Sequence, residues 1–172
     1  VKDIDFQHRF AFLERNDVVW GLGYRYQHDN IRADTIAVIN PVSRNDQLFS
    51  AFIQDEITLV DDFLWLTVGS KFEHNDYSGF EAQPTVRIMW APHQQHRLWA
   101  AFSRAVRTPS RVEHDLDIFA LMLPPRPVLG IPAIQVVIDG NRGYGSEDVM
   151  SYELGYRTTL IKNVSIDFTA FY

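Results

Sequence analysis

Alternation of apolar and polar residues, sustained over stretches of about ten to twelve residues, constrains this chain more than any other feature. It is clearest near the C-terminal end. From Val149 on, Tyr152, Leu154 and Tyr156 fall on one side, and Ser151, Glu153, Gly155 and Arg157 on the other. After Lys162-Asn163 the pattern resumes, with Val164, Ile166, Phe168, Ala170 and Tyr172 set against Ser165, Asp167, Thr169 and Phe171. A period of two puts the two sets on opposite faces of a strand. Two long runs separated by a very short break read as a hairpin.

The same pattern predicts six earlier strands: Ile4–Glu14, Val18–His28, Gln47–Leu59, Phe63–Glu73, Phe80–Trp90 and Arg97–Arg107. In the third, Asp55 interrupts the apolar side. In the fifth, Pro84 lacks the N–H a central ladder needs, so a bulge is expected there. The connections alternate in length. Arg15-Asn16-Asp17, Val60-Asp61-Asp62, Ala91–His96 and Lys162-Asn163 are short; 29–46 and 108–148 are long, and 74–79 is intermediate.

This layout predicts an all-β, antiparallel, up-and-down transmembrane β-barrel segment of about eight long strands, with short periplasmic turns and long extracellular loops. A tilted membrane strand needs about 9–11 residues. Lipid offers no hydrogen bonds, so each strand must be paired by neighbours. A mean hydropathy of -0.17 is compatible, because lumen-facing polar residues dilute lipid-facing ones. The competing reading is a soluble sandwich, whose strands are usually about 5–6 residues. The outward-facing Trp20, Tyr24, Tyr26, Trp90 and Tyr152 fall in two bands near the strand ends, like an interfacial girdle; a sandwich would use them as core.

Several function classes are disfavoured. A net charge of -6 argues against nucleic-acid binding driven by overall charge. Without cysteine there is no disulfide framework, thiol nucleophile or thiolate metal site. No enzyme constellation is recognisable and no cofactor is implied; Gly140–Gly145 lacks the strand-to-helix context of a dinucleotide loop. His93 and His96 supply two ligands where structural zinc wants four, so a solvated turn is expected.

The stretches Leu48-Phe-Ser-Ala-Phe-Ile-Gln-Asp-Glu-Ile-Thr-Leu59, Ser103-Arg-Ala-Val-Arg-Thr-Pro-Ser110 and Ser146-Glu-Asp-Val-Met-Ser-Tyr-Glu-Leu-Gly-Tyr-Arg157 resemble, in that order, barrel segments of TonB-dependent outer-membrane receptors. The resemblance spans nearly the whole chain. It implies the outer membrane of a Gram-negative bacterium and energised import of a bulky nutrient such as a ferric siderophore, haem or cobalamin. It also implies membrane lipid and the TonB complex as partners. The receptors are plugged barrels of about 22 strands. Residues 1–172 correspond to part of the barrel, without plug domain or TonB box, so a segment of the middle or later barrel is expected, which alone does not transport. Val1 and the strand ending at Tyr172 are read as the ends of a mature protein or of a piece cut from a longer one. An isolated segment is expected to close on itself or to oligomerise through its first and last strands. The alternative function is a passive channel or barrel adhesin without energy coupling.

Candidate ligand contacts lie where the loops leave the barrel. Arg107 and Arg111 can bind an anionic siderophore or serve as structural pairs at the loop base. His114 and Asp117, with Asp115, lie on the longest loop, where ligand capture would occur; a substrate or metal contact there stands against the default of a solvated loop. The apolar run Ile118–Pro124 either packs over the barrel mouth or lines an apolar site. Glu56, Lys71, Glu73, Glu81, Arg87, Glu153 and Arg157 are expected to form cross-strand ion pairs in the lumen.

Overall fold

The computed structural model describes residues 1–31, 37–125, 130, 132–161 and 164–172. Its elements are β1 (Lys2–Phe12), β2 (Asn16–Asn30), β3 (Ala37–Ile39), β4 (Ser43–Val60), β5 (Leu64–Asn75), β6 (Gly79–His93), β7 (His96–Arg107), α1 (Arg111–Asp115), β8 (Leu116–Leu123), β9 (Ile134–Asp139), β10 (Glu147–Ile161) and β11 (Val164–Phe171). Eight long strands form one antiparallel sheet in the order β1-β2-β4-β5-β6-β7-β10-β11, each beside its predecessor among the eight. This is the up-and-down arrangement the alternation predicts. β3, β8 and β9 form a separate three-stranded sheet within the long connections.

Among the described residues, β1 and β11 are the edges of the large sheet and do not pair with each other. Self-closure of eight strands is therefore not the arrangement adopted, and both edges keep unpaired backbone groups.

The apolar face has no interior to enter. Leu154, Phe168 and Phe80 are 64–66% exposed, and Val18 and Ile39 are the buried hydrophobics among the described residues. A sandwich would bury that face against a second sheet, whereas a barrel wall turns it toward lipid. Cross-strand aromatic pairs cover it: Phe6 with Trp20, Tyr24 with Phe49, Phe63 with Trp90, and Phe102 with Tyr152, at centroid distances of 4.8–6.1 Å. Asp55, one of the carboxylates on this face, accepts a hydrogen bond from Asn16 Nδ2 at 2.6 Å across the ladder.

Several local expectations are corrected. The first turn is Leu13–Arg15 rather than Arg15–Asp17, because Phe12 pairs with Asn16. Leu13 takes the left-handed conformation, while Asp17 stays in the strand and pairs with Arg9. The 74–79 connection shrinks to three residues, Asp76–Ser78, between paired Asn75 and Gly79. Asn75 Oδ1 accepts from the Tyr77 and Ser78 amides at 2.9 and 2.8 Å, and Gly79 supplies a φ of 74°. The long connections are not plain loops, since they contain α1, β3, β8 and β9. The Lys162-Asn163 turn lies outside the described residues.

Pro84 does not cause a bulge. It pairs in register with Ser70 on β5, while the β6–β7 ladder begins only at Thr85. The missing N–H ends that ladder instead of kinking it. Arg104, on the apolar side by alternation, turns into the gap and donates to the Ala82 carbonyl at 2.5 Å, with Glu81 at 3.7 Å.

The expected lumen ion pairs are realised in part. Arg157 pairs across strands with Asp167 at 2.7 Å. Lys71 pairs along its own strand with Glu73 at 2.6 Å. Arg87 stacks on Trp99, 4.9 Å from the ring centroid, instead of meeting a carboxylate, because Trp99 folds over Gly155 and occupies the space beside it.

Candidate functional site: the loop end of the sheet

The polar face and the long connections meet at one end of the sheet. The connection from β7 to β10 starts with a helix whose sequence specifies its own cap. Ser110 and Glu113 form a capping box: the Ser110 amide donates to Glu113 Oε2 at 2.7 Å and the Glu113 amide donates to Ser110 Oγ at 3.3 Å. Arg107 sits at the base. Its Nε meets Glu147 Oε2 at 2.9 Å, and Nη1 and Nη2 meet Glu113 at 3.0 and 2.7 Å. Arg107 and the Ser110 donors hold the Glu113 carboxyl down to about 2.

A carboxyl depressed in the folded protein stabilises it fully above the ordinary carboxylate range, and the contribution is lost as pH falls through about 2. The loop base is thus expected to hold through mild acid. Ser110→Ala removes the cap, and the expected result is roughly fivefold faster amide exchange at Glu113, read by hydrogen exchange. An unchanged rate would show that Arg107 alone fixes the turn.

Above this base, three separate segments are tied to one carboxylate. The Asp115 side chain is 1% exposed. It lies 3.0 Å from Arg44 Nη1, 3.6 Å from Arg111 Nε, 3.4 Å from Arg142 Nε and 2.9 Å from His114 Nδ1. Burial pushes its carboxyl up, but hydrogen bonds from His114 and Arg44 outweigh that and hold it below its ordinary value. Its backbone carbonyl accepts from the Asn40 amide at 3.0 Å, beside the β3–β8 pairing. Arg44 also pairs with Asp46 at 2.7 Å and lies 4.3 Å over the Tyr77 ring. Tyr77 donates to Asp46 Oδ2 at 2.9 Å, and burial pushes its phenol up.

The four candidate residues fall into this frame. Arg107 spans the loop base. Arg111 is buried, pairs with Asp29 and Asp115 and donates to the Pro41 carbonyl. His114 is buried beside Asp115 and edge-on to Tyr77, 5.4 Å between centroids. Asp117 sits on β8 directly opposite Asp139 of β9. Arg107, Arg111 and His114 make structural contacts, and His114 also lines, with Asp115, Asp117, Asp139 and Arg142, an open cleft of about 460 Å³. A second cleft of about 270 Å³ opens between Gln27, Asp29, Thr108 and Arg111. A larger groove, about 840 Å³, lies on the apolar face between Phe63, Trp90, Tyr156 and Phe168, and its lining is almost wholly apolar.

Sequence reasoning missed Arg44, Tyr77 and Arg142. Arg44 lies 71 residues from Asp115, and no local pattern links them. The Ser110-x-x-Glu113 spacing was a usable signal for α1. The run Ile134-Gln-Val-Val-Ile138, rich in β-branched residues, was one for β9. The apolar run Ile118–Pro124 does not cover a site on its own. Most of it forms β8, paired to β3 and β9, with Leu121 and Met122 55% and 67% exposed. No group of three or more His, Asp or Glu among the described residues is arranged to hold a metal ion. His96 Nδ1 instead meets the Tyr156 hydroxyl at 2.7 Å.

Comparison with known proteins agrees with this architecture. The family model for TonB dependent receptor-like β-barrels matches residues 2–172. A ferric enterobactin receptor (PfeA) mutant from Pseudomonas aeruginosa superposes with a TM-score of 0.77 at 18% identity, covering 98% of this chain and 26% of the receptor. The siderophore receptor PirA from Acinetobacter baumannii gives 0.77 at 14% identity, with the same coverages. PirA from Pseudomonas aeruginosa gives 0.75 at 14%, covering 98% of this chain and 31% of that one. The chain therefore spans about a quarter to a third of the length of these solved receptors. No curated protein matches it significantly in sequence.

Proposed function

Because this chain belongs to the TonB-dependent receptor β-barrel family, we propose that it forms part of the wall of a Gram-negative outer-membrane receptor. That receptor takes up a scarce nutrient, most directly a ferric siderophore or another iron complex, with haem or cobalamin as further members of the class. The observation that carries this reading is the loop end: three chain segments are fixed around Asp115, directly above a polar sheet face. A pore open to solvent has no need of loops held so firmly at its mouth. A receptor does, because a preordered binding surface loses less freedom when the ligand arrives.

The likeness to siderophore receptors supports iron as the cargo. The solved relatives named above are siderophore receptors, and one ferric enterobactin receptor mutant was solved with enterobactin. In this reading the apolar face meets outer-membrane lipid. The Arg107, Arg111 and His114 pairs hold the loop in place, and Asp117 faces the ligand. Energy comes from the TonB complex acting on parts of the receptor other than this segment.

The test is uptake of radiolabelled iron complexes by cells carrying the complete receptor, with and without TonB. Accumulation that stops on loss of TonB or of proton-motive force is expected. Accumulation that continues without TonB would identify a passive channel, and its absence under every iron source would remove the iron reading.

A further inference from the structure

The charge of the loop end narrows the ligand. Connections 29–46 and 75–79 and the stretch 107–148 together carry ten carboxylates and six arginines, a surplus of four of the chain's six net negative charges. Anionic chelates are usually held by arginine, whose fork of N–H donors matches a carboxylate or catecholate oxygen pair. Among the described residues, three arginines of the loop end are each held by two carboxylates. Arg107 is bound to Glu113 and Glu147, Arg111 to Asp29 and Asp115, and Arg44 to Asp46 and Asp115. Arg142, 63% exposed, donates to the Asn40 carbonyl at 2.8 Å and faces Asp115 at 3.4 Å. An anion that drew on Arg44, Arg107 or Arg111 would have to take it from a carboxylate, and that carboxylate would remain beside the anion.

The cleft wall adds to this. Asp117 and Asp139 stand directly opposite each other across the β8–β9 ladder, an arrangement of like charges that repels a further anion. On the face of Asp117 and Asp139 the same hairpin presents Phe119 and Met122, 40% and 67% exposed. That surface suits a ligand with aliphatic parts and no net negative charge.

Resting on the iron-uptake reading above, we propose that this receptor selects an uncharged or cationic iron chelate of the tris-hydroxamate kind and discriminates against trianionic tris-catecholates. Three monoanionic hydroxamates balance Fe(III), whereas three dianionic catecholates leave a charge of about 3− on the complex; the chemical difference is one the loop end can read as repulsion. The fold shared with ferric enterobactin receptors does not decide this, since at 18% identity the likeness is one of architecture.

The experiment is a pair of binding titrations on the complete receptor in detergent, followed by tryptophan fluorescence. One ligand is a linear iron tris-hydroxamate and the other an iron tris-catecholate of similar size. At low ionic strength the hydroxamate is expected to bind at least about tenfold more tightly, and the gap is expected to narrow as salt screens the repulsion. The double variant Asp117→Asn, Asp139→Asn is expected to narrow it as well. Tighter catecholate binding that weakens with salt, or a ratio unmoved in the double variant, overturns the inference alone. Binding of neither complex overturns the inference, and the iron-receptor reading falls with it only where uptake also fails under every iron source.

Discussion

Replacement of Asp115 by Ala is expected to free the 108–148 connection from the mouth while leaving the eight-stranded sheet intact. The carboxylate is 1% exposed and lies against Arg44, Arg111, Arg142 and His114. Its removal leaves Arg111, itself 7% exposed, with Asp29 as its remaining carboxylate, and Arg44 with Asp46. Breaking a buried pair by deleting one partner costs about 3–5 kcal/mol, because the other charge stays desolvated. The loss falls on the docking of loops to one another, since none of these contacts lies in the strand ladders. An opening equilibrium shifted more than about a hundredfold follows from that energy. Tryptic cleavage after Arg142, hydrogen exchange in β8 and β3, and heat-modifiable gel migration together read the effect. Faster cleavage and exchange with unchanged migration is the expected pattern. Equal cleavage rates in variant and parent would mean that the backbone pairing of β3 with β8 suffices to hold the loop. Asp115→Asn keeps size and hydrogen-bond acceptors and is expected to fall between the two.

The second large effect concerns the polar face. A Cβ added at Gly155 would run into the Trp99 indole, and one at Gly21 would run into the Phe52 ring and lie 2.6 Å from the Phe6 carbonyl oxygen. Both glycines lie opposite an aromatic residue on the neighbouring strand and let its ring lie flat over the backbone. At Gly155 the obstacle is a side chain, and relief requires Trp99 to leave its place under Arg87. At Gly21 part of the obstacle is backbone, which cannot move without breaking the β1–β2 ladder. Overpacking of this kind costs about 1–3 kcal/mol. Gly21→Ala is therefore expected to sit at the upper end and Gly155→Ala lower, as measured by urea unfolding of the receptor in lipid. Adding Trp99→Ala to Gly155→Ala is expected to recover part of the loss, because the obstacle is then gone. The reverse order of the two single variants would contradict the distinction between ring and backbone.

These two sites differ in how far the sequence reveals them. Gly155 and Trp99 are assigned to the polar face by alternation alone, since a strand's side chains alternate whatever its surroundings. Only the register shows that they face each other. The eight long strands were legible, but their boundaries were not, and the strands β3, β8 and β9 inside the long connections were missed. Asn16 and Asp17 carry turn-forming side chains, yet they lie in the ladder because Asp55 and Arg9 on neighbouring strands bind them. Pro84 correctly marked a disturbed ladder. Whether the disturbance became a bulge or an ending depended on Arg104, twenty residues away in sequence, filling the gap.

The candidate site was less legible. Arg107 and Arg111 were singled out where the sixth strand enters the longest loop, and His114 and Asp117 on that loop; the structure places Arg107 at the end of β7, Arg111 and His114 in α1 and Asp117 on β8. Their partners were not foreseeable, because Asp29, Arg44 and Arg142 reach them across loops with no periodicity to read.

The sequence by itself determined that the chain makes long two-faced strands joined alternately by tight and extended connections, and hence an up-and-down antiparallel wall. That information is local: it is written every second residue and needs no knowledge of neighbours. The tertiary structure alone decided that three distant segments close on Asp115 and that the loop-end arginines with described contacts are matched by carboxylates. Ion pairing in a loop depends on which charges the fold brings within about 4 Å, and sequence spacing carries no record of that distance.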